Sequence, residues 1–495
     1  MDEKFSLRRL KTGVPGLDNL LGGGLPEFSF NLVAGMPGCG KTTLAHQIMF
    51  ASANPANRAL FFTVLGEPVL KMLRYQQQFA YFDVAKVNGS IRFVDLSADL
   101  VDGDLDHVLS HIANEVKDFN PRLVFVDSFR SIMKSSTHVD HWVTKQQHFL
   151  QRLGAMMSNW KATTFLIGEY PLSEAEASPI FAVADGILWL SQNMQQNSMV
   201  RKIQVIKMRG QAHAPGLHTF RISEQGLQVF PRAIVKQELA AESVSTTGYT
   251  ITRLAMGVPG LDDMLGGGLP TGYSLLVVGP SGSGKTVLAT EFLAEGVRRG
   301  ERGVIAAFEK SPSQLLANKK LYSMIQAGQV GVIDTRSLDL SIDEALHDLI
   351  EMIKRTQAKR IVIDSLSGFE LALAPEFSED FRGSLYRMFA ELTGMGVTIL
   401  MTSELEDRFT DLRFSPFASS FLADAIVMQR YVEIEGQLKR AISVVKVRGS
   451  GHSKDIRLFD ISDEGIVIGE ALSDFTGLLS GRPTANAASK TQQGT

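Results

Sequence analysis

The pattern Gly-x-x-x-x-Gly-Lys-Thr occurs twice in this chain of 495 residues, at residues 35–42 and at residues 279–286. Each copy follows a short apolar run and leads into a helix-like segment, so the local order is strand, loop, helix. Glycines in such a loop let successive backbone N–H groups converge, and the positive end of the following helix completes a binding site for anions. The lysine reaches the outer phosphates of a nucleoside triphosphate, and the threonine hydroxyl binds Mg²⁺. The sequence therefore predicts two ATP sites.

The predicted nucleotide contacts come from each loop and the residue that follows it. They are Gly35, Met36, Pro37, Gly38, Cys39, Gly40, Lys41, Thr42 and Thr43 in the first copy, and Gly279, Pro280, Ser281, Gly282, Ser283, Gly284, Lys285, Thr286 and Val287 in the second. We expect Lys41 and Lys285 to act in catalysis as well, because they neutralise charge on the transferring phosphate.

Cys39 is the only cysteine of the chain and lies inside the first loop, so no intrachain disulfide can form. We interpret it as a small residue that the loop tolerates. The alternative is a redox switch, because backbone N–H groups of the loop could lower the pKa of the thiol.

The repeat extends beyond the loops. Residues 13–18 and 21–26 recur as residues 257–262 and 265–270, at the offset that also relates the two loop lysines (285 − 41 = 244). A period this long indicates a duplicated domain rather than a solenoid, whose units have roughly 20 to 50 residues.

The composition between and after the repeats predicts the domain boundaries. We expect ATPase domains at 1–232 and 250–480, joined by a linker at 233–249 that is rich in Ser, Thr and charge. The tail at 481–495 consists mainly of small and polar residues and lacks apolar periodicity, which predicts disorder.

Overall charge and hydropathy argue against two classes of protein. The 50 Lys and Arg residues are balanced by 53 Asp and Glu residues. The net charge of −3 therefore lacks the excess of positive charge that is typical of nucleic-acid-binding proteins. No apolar run approaches the roughly 18 residues that indicate a membrane span, and the first residues lack the apolar core of a signal peptide. We expect a cytoplasmic protein without a membrane partner.

Short apolar runs recur along both halves and are separated by helical patterns. They lie at residues 59–64, 123–126, 163–167 and 186–190, and again at 303–308, 361–363, 397–401 and 425–428. Continuous apolar strands are buried on both faces, which predicts an α/β fold with a mostly parallel sheet in each half. Ligands of such sheets bind at the carboxyl ends of the strands.

One aspartate in each half ends such a strand. Asp127 and Asp364 are therefore predicted to hold Mg²⁺ together with Thr42 and Thr286 of the loops.

Hydrolysis also needs a carboxylate that orients or deprotonates the attacking water. Glu309 ends a strand and is the predicted base of the second half. Leu65 stands at the equivalent position of the first half, where Glu67 is the nearest substitute.

A cationic segment, Lys-x-Arg-Gly-x-x-His, also occurs in both halves. It comprises Lys207, Arg209 and His213 in the first half and Lys446, Arg448 and His452 in the second. We interpret these residues as acting in trans on the γ-phosphate held by a neighbouring subunit, as arginine fingers do. The alternative is a charged hairpin edge that guards against aggregation.

Taken together, these motifs resemble the KaiC family of RecA-like ATPases with two domains. The likeness covers both GVPGLD and LGGGLP openings, both loops, both Asp-Ser strand ends, both cationic segments and the stretch at residues 431–452. The resemblance implies a two-tiered homohexamer with ATP between subunits, an ATPase first tier and a second tier that phosphorylates itself.

The chain departs from this family at two places. The family has two adjacent glutamates in each half, at the positions of Leu65 and Gly66 and of Glu309 and Lys310. This chain therefore lacks both glutamates in the first half and keeps one, Glu309, in the second. The family's Ser-Thr acceptor pair corresponds to Ser420 and Phe421, with Ser419 as an unaligned neighbour. The sequence therefore predicts an impaired first ATPase and at most a serine autokinase, without a two-site phosphorylation cycle.

Two other functions remain open at this point. A recombinase or helicase shares the RecA-like core, although it would need a basic channel or an added DNA-binding module. A scaffold whose first tier only binds ATP, while protein partners contact the second tier, also fits the motifs.

Overall fold

The structure is a computed structural model, and it describes residues 7–64, 69–100, 105–135, 142–171, 173, 178–195, 198–232, 252–308, 318–334, 340–374, 377, 381–405, 422–434, 436–462, 465–473, 475–476 and 484–485. The chain divides into two compact units, Met1–Arg232 and Ala233–Thr495. The predicted linker at 233–249 lies outside the described residues, so the finer domain boundaries stay a prediction.

The first unit is built on a nine-stranded sheet in the order β11-β10-β9-β8-β3-β7-β6-β4-β5. Its strands are β3 Phe30–Gly35, β4 Ala59–Thr63, β5 Ile91–Asp95, β6 Leu123–Asp127, β7 Thr163–Glu169, β8 Gly186–Gln195, β9 Ser198–Met208, β10 His218–Ser223 and β11 Gly226–Phe230. The run from β8 to β5 is parallel, and β9 to β11 add antiparallel strands. A separate pair consists of β1 Arg9–Leu10 and β2 Leu25–Pro26.

The second unit repeats this topology strand for strand, in the order β22-β21-β20-β19-β14-β18-β17-β15-β16. Its strands are β14 Ser274–Gly279, β15 Gly303–Ala307, β16 Val330–Asp334, β17 Arg360–Asp364, β18 Thr398–Glu404, β19 Ala425–Ile434, β20 Gln437–Val447, β21 Ile456–Ser462 and β22 Gly465–Ala471. The short pair β12 Arg253–Leu254 and β13 Leu269–Pro270 corresponds to β1 and β2.

Helices connect the strands in both units. The first unit has Leu17–Leu20, Lys41–Ser52, Val69–Gln76, Leu105–Phe119, Phe129–Ser135, Trp142–Asn159 and Pro179–Val183. The second has Pro259–Met264, Lys285–Arg298, Lys319–Gln326, Ile342–Thr356, Leu366–Ala372 and Phe381–Gly394. No helix within the described residues is long and apolar enough to cross a membrane.

Each sheet buries both of its faces. In β4, Phe61 packs into one apolar cluster together with the helix that follows the first loop, whereas its neighbours Leu60 and Phe62 pack into another on the opposite face. The second unit has the same two-sided core. This burial explains the continuous apolar runs, and the predicted α/β fold with mostly parallel sheets is confirmed in both halves.

The chain end differs from the sequence prediction at two residues. Thr484–Ala485 forms a short strand, β24, that pairs with β23, Phe475–Thr476. The predicted disordered tail at 481–495 is therefore ordered at these two positions, because backbone pairing needs no apolar periodicity. Residues 486–495 lie outside the described residues.

Candidate nucleotide-binding sites

Both phosphate loops connect the central strand of a sheet to a helix. The first loop runs from the end of β3 to a helix that begins at Lys41, and the second runs from β14 to a helix that begins at Lys285. The residues before these helices, Gly40 and Gly284, have φ of 102° and 105°, in the left-handed region that favours glycine. A Cβ atom there would lie 2.7 Å and 2.6 Å from isoleucine side chains, so both positions require glycine.

The loop lysines fold back onto their own loops. The Nζ of Lys41 donates to the carbonyl of Met36 at 2.8 Å, and that of Lys285 donates to the carbonyls of Gly279 and Pro280 at 2.7 and 2.8 Å. Both ammonium groups are thus held beside the converging N–H groups of the loop, where a phosphate chain would carry its negative charge.

A threonine and an aspartate meet beside each loop. Thr42 Oγ1 donates to Asp127 Oδ2 at 2.7 Å, and Thr286 Oγ1 donates to Asp364 Oδ2 at 2.9 Å. The peptide bond after each aspartate is cis. A hydroxyl and a carboxylate are hard oxygen ligands, so the chemistry of this pair fits Mg²⁺.

The aspartate of the second half has an additional partner. Asp364 is buried, and its Oδ1 accepts a hydrogen bond from Thr402 Oγ1 at 2.6 Å. The strand register places Ile167 beside Asp127 in the first half, so this hydroxyl is absent there. The sequence analysis missed Thr402, because its contact depends on the pairing of strands.

The interior of the loop also differs between the halves. Ser283 Oγ donates to the side-chain oxygen of Gln429 at 3.0 Å in the second half. The repeat offset places Cys39 at the position of Ser283, and Cys39 packs in an apolar cluster that includes Leu190. Burial raises the pKa of the Cys39 thiol although Lys41 opposes this shift, so the alternative of a redox switch, which needs a lowered pKa, is not supported.

A cavity of about 350 Å³ opens beside the first loop. Residues of the loop, the metal site and neighbouring strands line it: Gly38, Gly40, Lys41, Thr42, Thr43, Phe61, Thr63, Met72, Asp127, Ser128, Gly168, Glu169 and Ile222. Glu169 is a carboxylate that the sequence analysis missed. The segments TTFLIGE and TILMTSE end in Glu169 and Glu404, and this shared strand ending is the signal that could have revealed both residues.

The cationic segments lie at the opposite end of the central strands. Arg209 pairs with Asp185 at 3.1 Å, and the second oxygen of that carboxylate accepts from the backbone N–H of Phe30, the first residue of β3. Since β3 has six residues, its loop end lies roughly 17 Å away at about 3.3 Å per residue. Arg209 therefore does not reach the phosphate loop of its own half.

The second half repeats this arrangement. Arg448 pairs with Asp424 at 3.2 Å, and Asp424 accepts from the N–H of Ser274, the first residue of β14. Both arginines are exposed.

The remaining members of the cationic segments contact backbone carbonyls or lie near the same strand ends. Lys207 Nζ donates to Ala182 at 3.0 Å, and Lys446 Nζ donates to Ala423 at 2.8 Å. Burial, followed by the charge of the adjacent arginine, lowers the pKa of both lysines. His213 Nδ1 lies 3.3 Å from the carbonyl of Ala214, and His452 is half-buried.

Four predicted site residues lie outside the described residues. They are the two candidate bases, Glu67 and Glu309, and the two candidate phosphoacceptors, Ser419 and Ser420. Their roles stay predictions.

Comparison with known proteins gives the same family for both halves. The family model described as the KaiC ATPase matches residues 10–234 and 254–473. A circadian clock oscillator protein KaiC of a Picosynechococcus species is 28% identical over 497 residues, which cover 97% of this chain and 93% of that protein. The circadian clock protein KaiC3 of a Synechocystis species is 28% identical over 512 residues, 99% of this chain and 97% of its own.

A third relative, the circadian clock oscillator protein KaiC of Synechococcus elongatus, is 27% identical over 502 residues and covers 97% of this chain and 93% of its own. The family match spans the phosphate loop, the metal-site aspartate and the cationic segment of each half. The chain belongs to the KaiC family of ATPases.

Proposed function

We propose that this chain works in the cytoplasm as a Mg²⁺-dependent ATPase with two unequal sites, assembled as a homohexameric ring, and that its second half is a serine autokinase. The observation that carries the proposal is the constellation of loop, lysine, threonine and aspartate, which occurs in both halves with nearly the same hydrogen bonds. Membership of the KaiC family supports the ATPase part.

The residues of each site divide the work of phosphoryl transfer. The N–H groups of the loop bind the phosphate chain, and Lys41 or Lys285 neutralises the oxygens that gain charge. Thr42 with Asp127, and Thr286 with Asp364, would hold Mg²⁺, which neutralises charge on the β- and γ-phosphates. Positioning and charge stabilisation are the main demands of this chemistry, so the acceptor in line decides between hydrolysis and autophosphorylation.

The ring follows from the position of the cationic segments. Arg209 and Arg448 lie at the far end of the central strand from their own loops, so within one domain neither can neutralise the γ-phosphate. A second copy that presents this end of its sheet to the loop would complete the site. Such a head-to-tail contact repeats from subunit to subunit and closes into a ring.

The sites are unequal because the first half lacks groups that the second half has. Leu65 stands where the second half has Glu309, and an aliphatic side chain cannot orient water. Ile167 replaces Thr402 beside the metal-site aspartate. We infer that the first site binds ATP and turns it over slowly, whereas Glu309 serves as base in the second site.

The autokinase depends on Ser420, which lies four residues before Asp424, with Ser419 as the neighbouring alternative. Asp424 marks the strand end that Arg448 contacts, and this end would face the ATP of an adjacent subunit. A phosphate placed there adds nearly two negative charges at a subunit interface.

Incubation of purified protein with γ-labelled ATP and Mg²⁺ tests these activities together. We expect labelled phosphate both in solution and on the protein, with the modified peptide spanning residues 415–424. Lys285→Ala should abolish the protein-bound label, because the donor is bound by the second loop. Release no faster than in an EDTA control would overturn the ATPase, and release without any protein-bound label would overturn the autokinase alone.

A further inference from the structure

Each half has a glutamate at the end of the strand that separates the phosphate loop from the metal-site aspartate. In the first sheet β7 lies between β3 and β6, and its last residue, Glu169, is in register with Gly35, where the loop begins. In the second sheet Glu404 ends β18 and is in register with Gly279. The two carboxylates therefore occupy equivalent places between the loop and the metal site.

The carboxylate of Glu169 is available for chemistry. Its side chain is exposed and lines the same cavity as Lys41, Thr42 and Asp127. The side chain of Glu169 makes no hydrogen bond or ion pair within the described part of the chain. The backbone carbonyl of Glu169 accepts a hydrogen bond from Arg130. This hydrogen bond fixes the strand end without involving the Glu169 carboxylate.

A carboxylate at this place is unfavourable for binding alone. ATP brings several negative charges into the cavity, and an unpaired glutamate beside them repels the γ-phosphate. A structural role would be satisfied by a neutral or apolar side chain, such as Leu190 on β8 and Ile167 on β7 itself. A carboxylate next to the reacting phosphate is instead what activation of a water molecule needs.

We propose that Glu169 orients and deprotonates the attacking water in the first site, where Leu65 stands at the position that Glu309 occupies in the second half. The water oxygen forms a bond to the γ-phosphorus while the bond from that phosphorus to the β,γ-bridging oxygen breaks. The electron pair of the broken bond leaves on ADP, and the proton of the water passes to the Glu169 carboxylate and from there to solvent. This inference rests on the proposed ATPase activity and assigns the slow turnover of the first half to a residue.

The test first disables the second site and then converts the Glu169 carboxylate into an amide. In a Lys285→Ala background, which disables the second site, Glu169→Gln should lower the rate of ADP formation on the order of 10² or more, the usual contribution of a positioned base. The affinity for ATP should be retained or increased relative to the parent, because the amide keeps the shape of the carboxylate and no longer repels the γ-phosphate. Glu67→Gln in the same background should change turnover less than Glu169→Gln does.

Two controls separate chemistry from structure. Glu115→Gln removes a carboxylate from the helix Leu105–Phe119, where it pairs with Arg92, and turnover should be unaffected. The tryptophans of the chain all lie in the first half, at Trp142, Trp160 and Trp189, so their fluorescence verifies that this half is folded in every variant. If Lys285→Ala does not fold, Glu309→Gln serves as the background.

The outcomes are distinct. Unchanged turnover in Glu169→Gln, or a larger loss in Glu67→Gln, would overturn the role of Glu169. If the Lys285→Ala protein binds ATP but does not hydrolyse it, the role of Glu169 is overturned as well. The proposed activity of the second site would not be affected by that result. Only a wild-type protein without hydrolysis would contradict the proposed function itself.

Discussion

The two halves share the residues that we propose to bind a nucleotide, and they differ in the residues that surround them. Both hold the loop lysine against the loop and the threonine against the aspartate at similar distances. The side chains around these residues differ at equivalent positions. The second half has Ser283, Gln429 and Thr402, whereas the first half has Cys39, Leu190 and Ile167. The two halves therefore share the loop, lysine, threonine and aspartate and differ in the side chains packed around them.

The difference also concerns the hydrogen bonds that position the two candidate Mg²⁺ ligands, Asp127 and Asp364. Asp364 is buried and accepts hydrogen bonds from two hydroxyls, one for each carboxylate oxygen. Outer hydrogen-bond partners of this kind orient a metal ligand and are worth about 10- to 100-fold in metal affinity or activity. Asp127 is half-buried and accepts from the Thr42 hydroxyl, and the residue in register with it on β7 is Ile167, which has no hydroxyl. This additional hydrogen bond supports the proposal that the second site is the more active one.

Loss of the arginine that we propose to act in trans should have the largest effect. We expect Arg448→Ala to lower turnover of the second site on the order of 10³ or more, the effect typical of arginine fingers, with ATP binding largely retained. The exposed pair with Asp424 contributes at most about 1 kcal/mol to stability, so the fold should survive. Lys439→Ala is the matched control, because Lys439 lies on β20, the strand that ends one residue before Arg448.

A mixing experiment decides whether Arg448 acts on a neighbour. Arg448→Ala and Lys285→Ala subunits are each inactive at the second site, but a mixed ring contains interfaces that join an intact loop to an intact arginine. An equal mixture should recover about a quarter of the second-site activity if assembly is random. No recovery after subunit exchange would contradict action in trans.

The candidate bases provide the next largest contrast. With the first site disabled by Lys41→Ala, Glu309→Gln should lose on the order of 10² to 10⁴ in hydrolysis, because the amide cannot accept a proton from water. Single-turnover measurements of ADP formation will report this loss free of product release. A greater loss from Glu67→Gln in the wild-type background would mean that the assigned register is wrong.

The smallest of these effects concerns stability rather than turnover. His46 follows the first loop and is buried against Phe61, with a ring separation of 4.7 Å, whereas the equivalent residue of the second half is Thr290. Burial lowers the pKa of His46 from 6.5 to about 4, and the Gln76 amide only partly opposes this shift. The native state therefore holds a neutral imidazole that the unfolded chain protonates below pH 6.5.

Since the unfolded state takes up the proton first, the first half should lose stability as the pH falls from about 6.5 towards 4. Between pH 7.5 and 4.5 we expect the wild type to lose about 2.5 kcal/mol more than His46→Thr. Urea unfolding followed by tryptophan fluorescence measures this difference for the first half alone. Equal pH dependence of the two proteins would contradict a neutral buried His46.

The sequence was sufficient for features whose geometry is local. The loops, their lysines and the threonine that opens each helix are set within a few residues, and Asp127 and Asp364 follow from strands that end in a carboxylate. Thr402 and Glu169 were missed because their roles depend on which strands lie side by side in the sheet. The placement of Arg209 and Arg448 far from their own loops also required the register of β3 and β14.

The most direct test of two unequal sites is steady-state ADP formation by Lys41→Ala and Lys285→Ala, each compared with the wild type at saturating ATP. Both variants should still bind nucleotide at the loop that remains. We predict that Lys41→Ala retains most of the wild-type turnover and that Lys285→Ala retains only a minor fraction. Equal losses in the two variants, or a larger loss in Lys41→Ala, would contradict the assignment of the second half as the more active site.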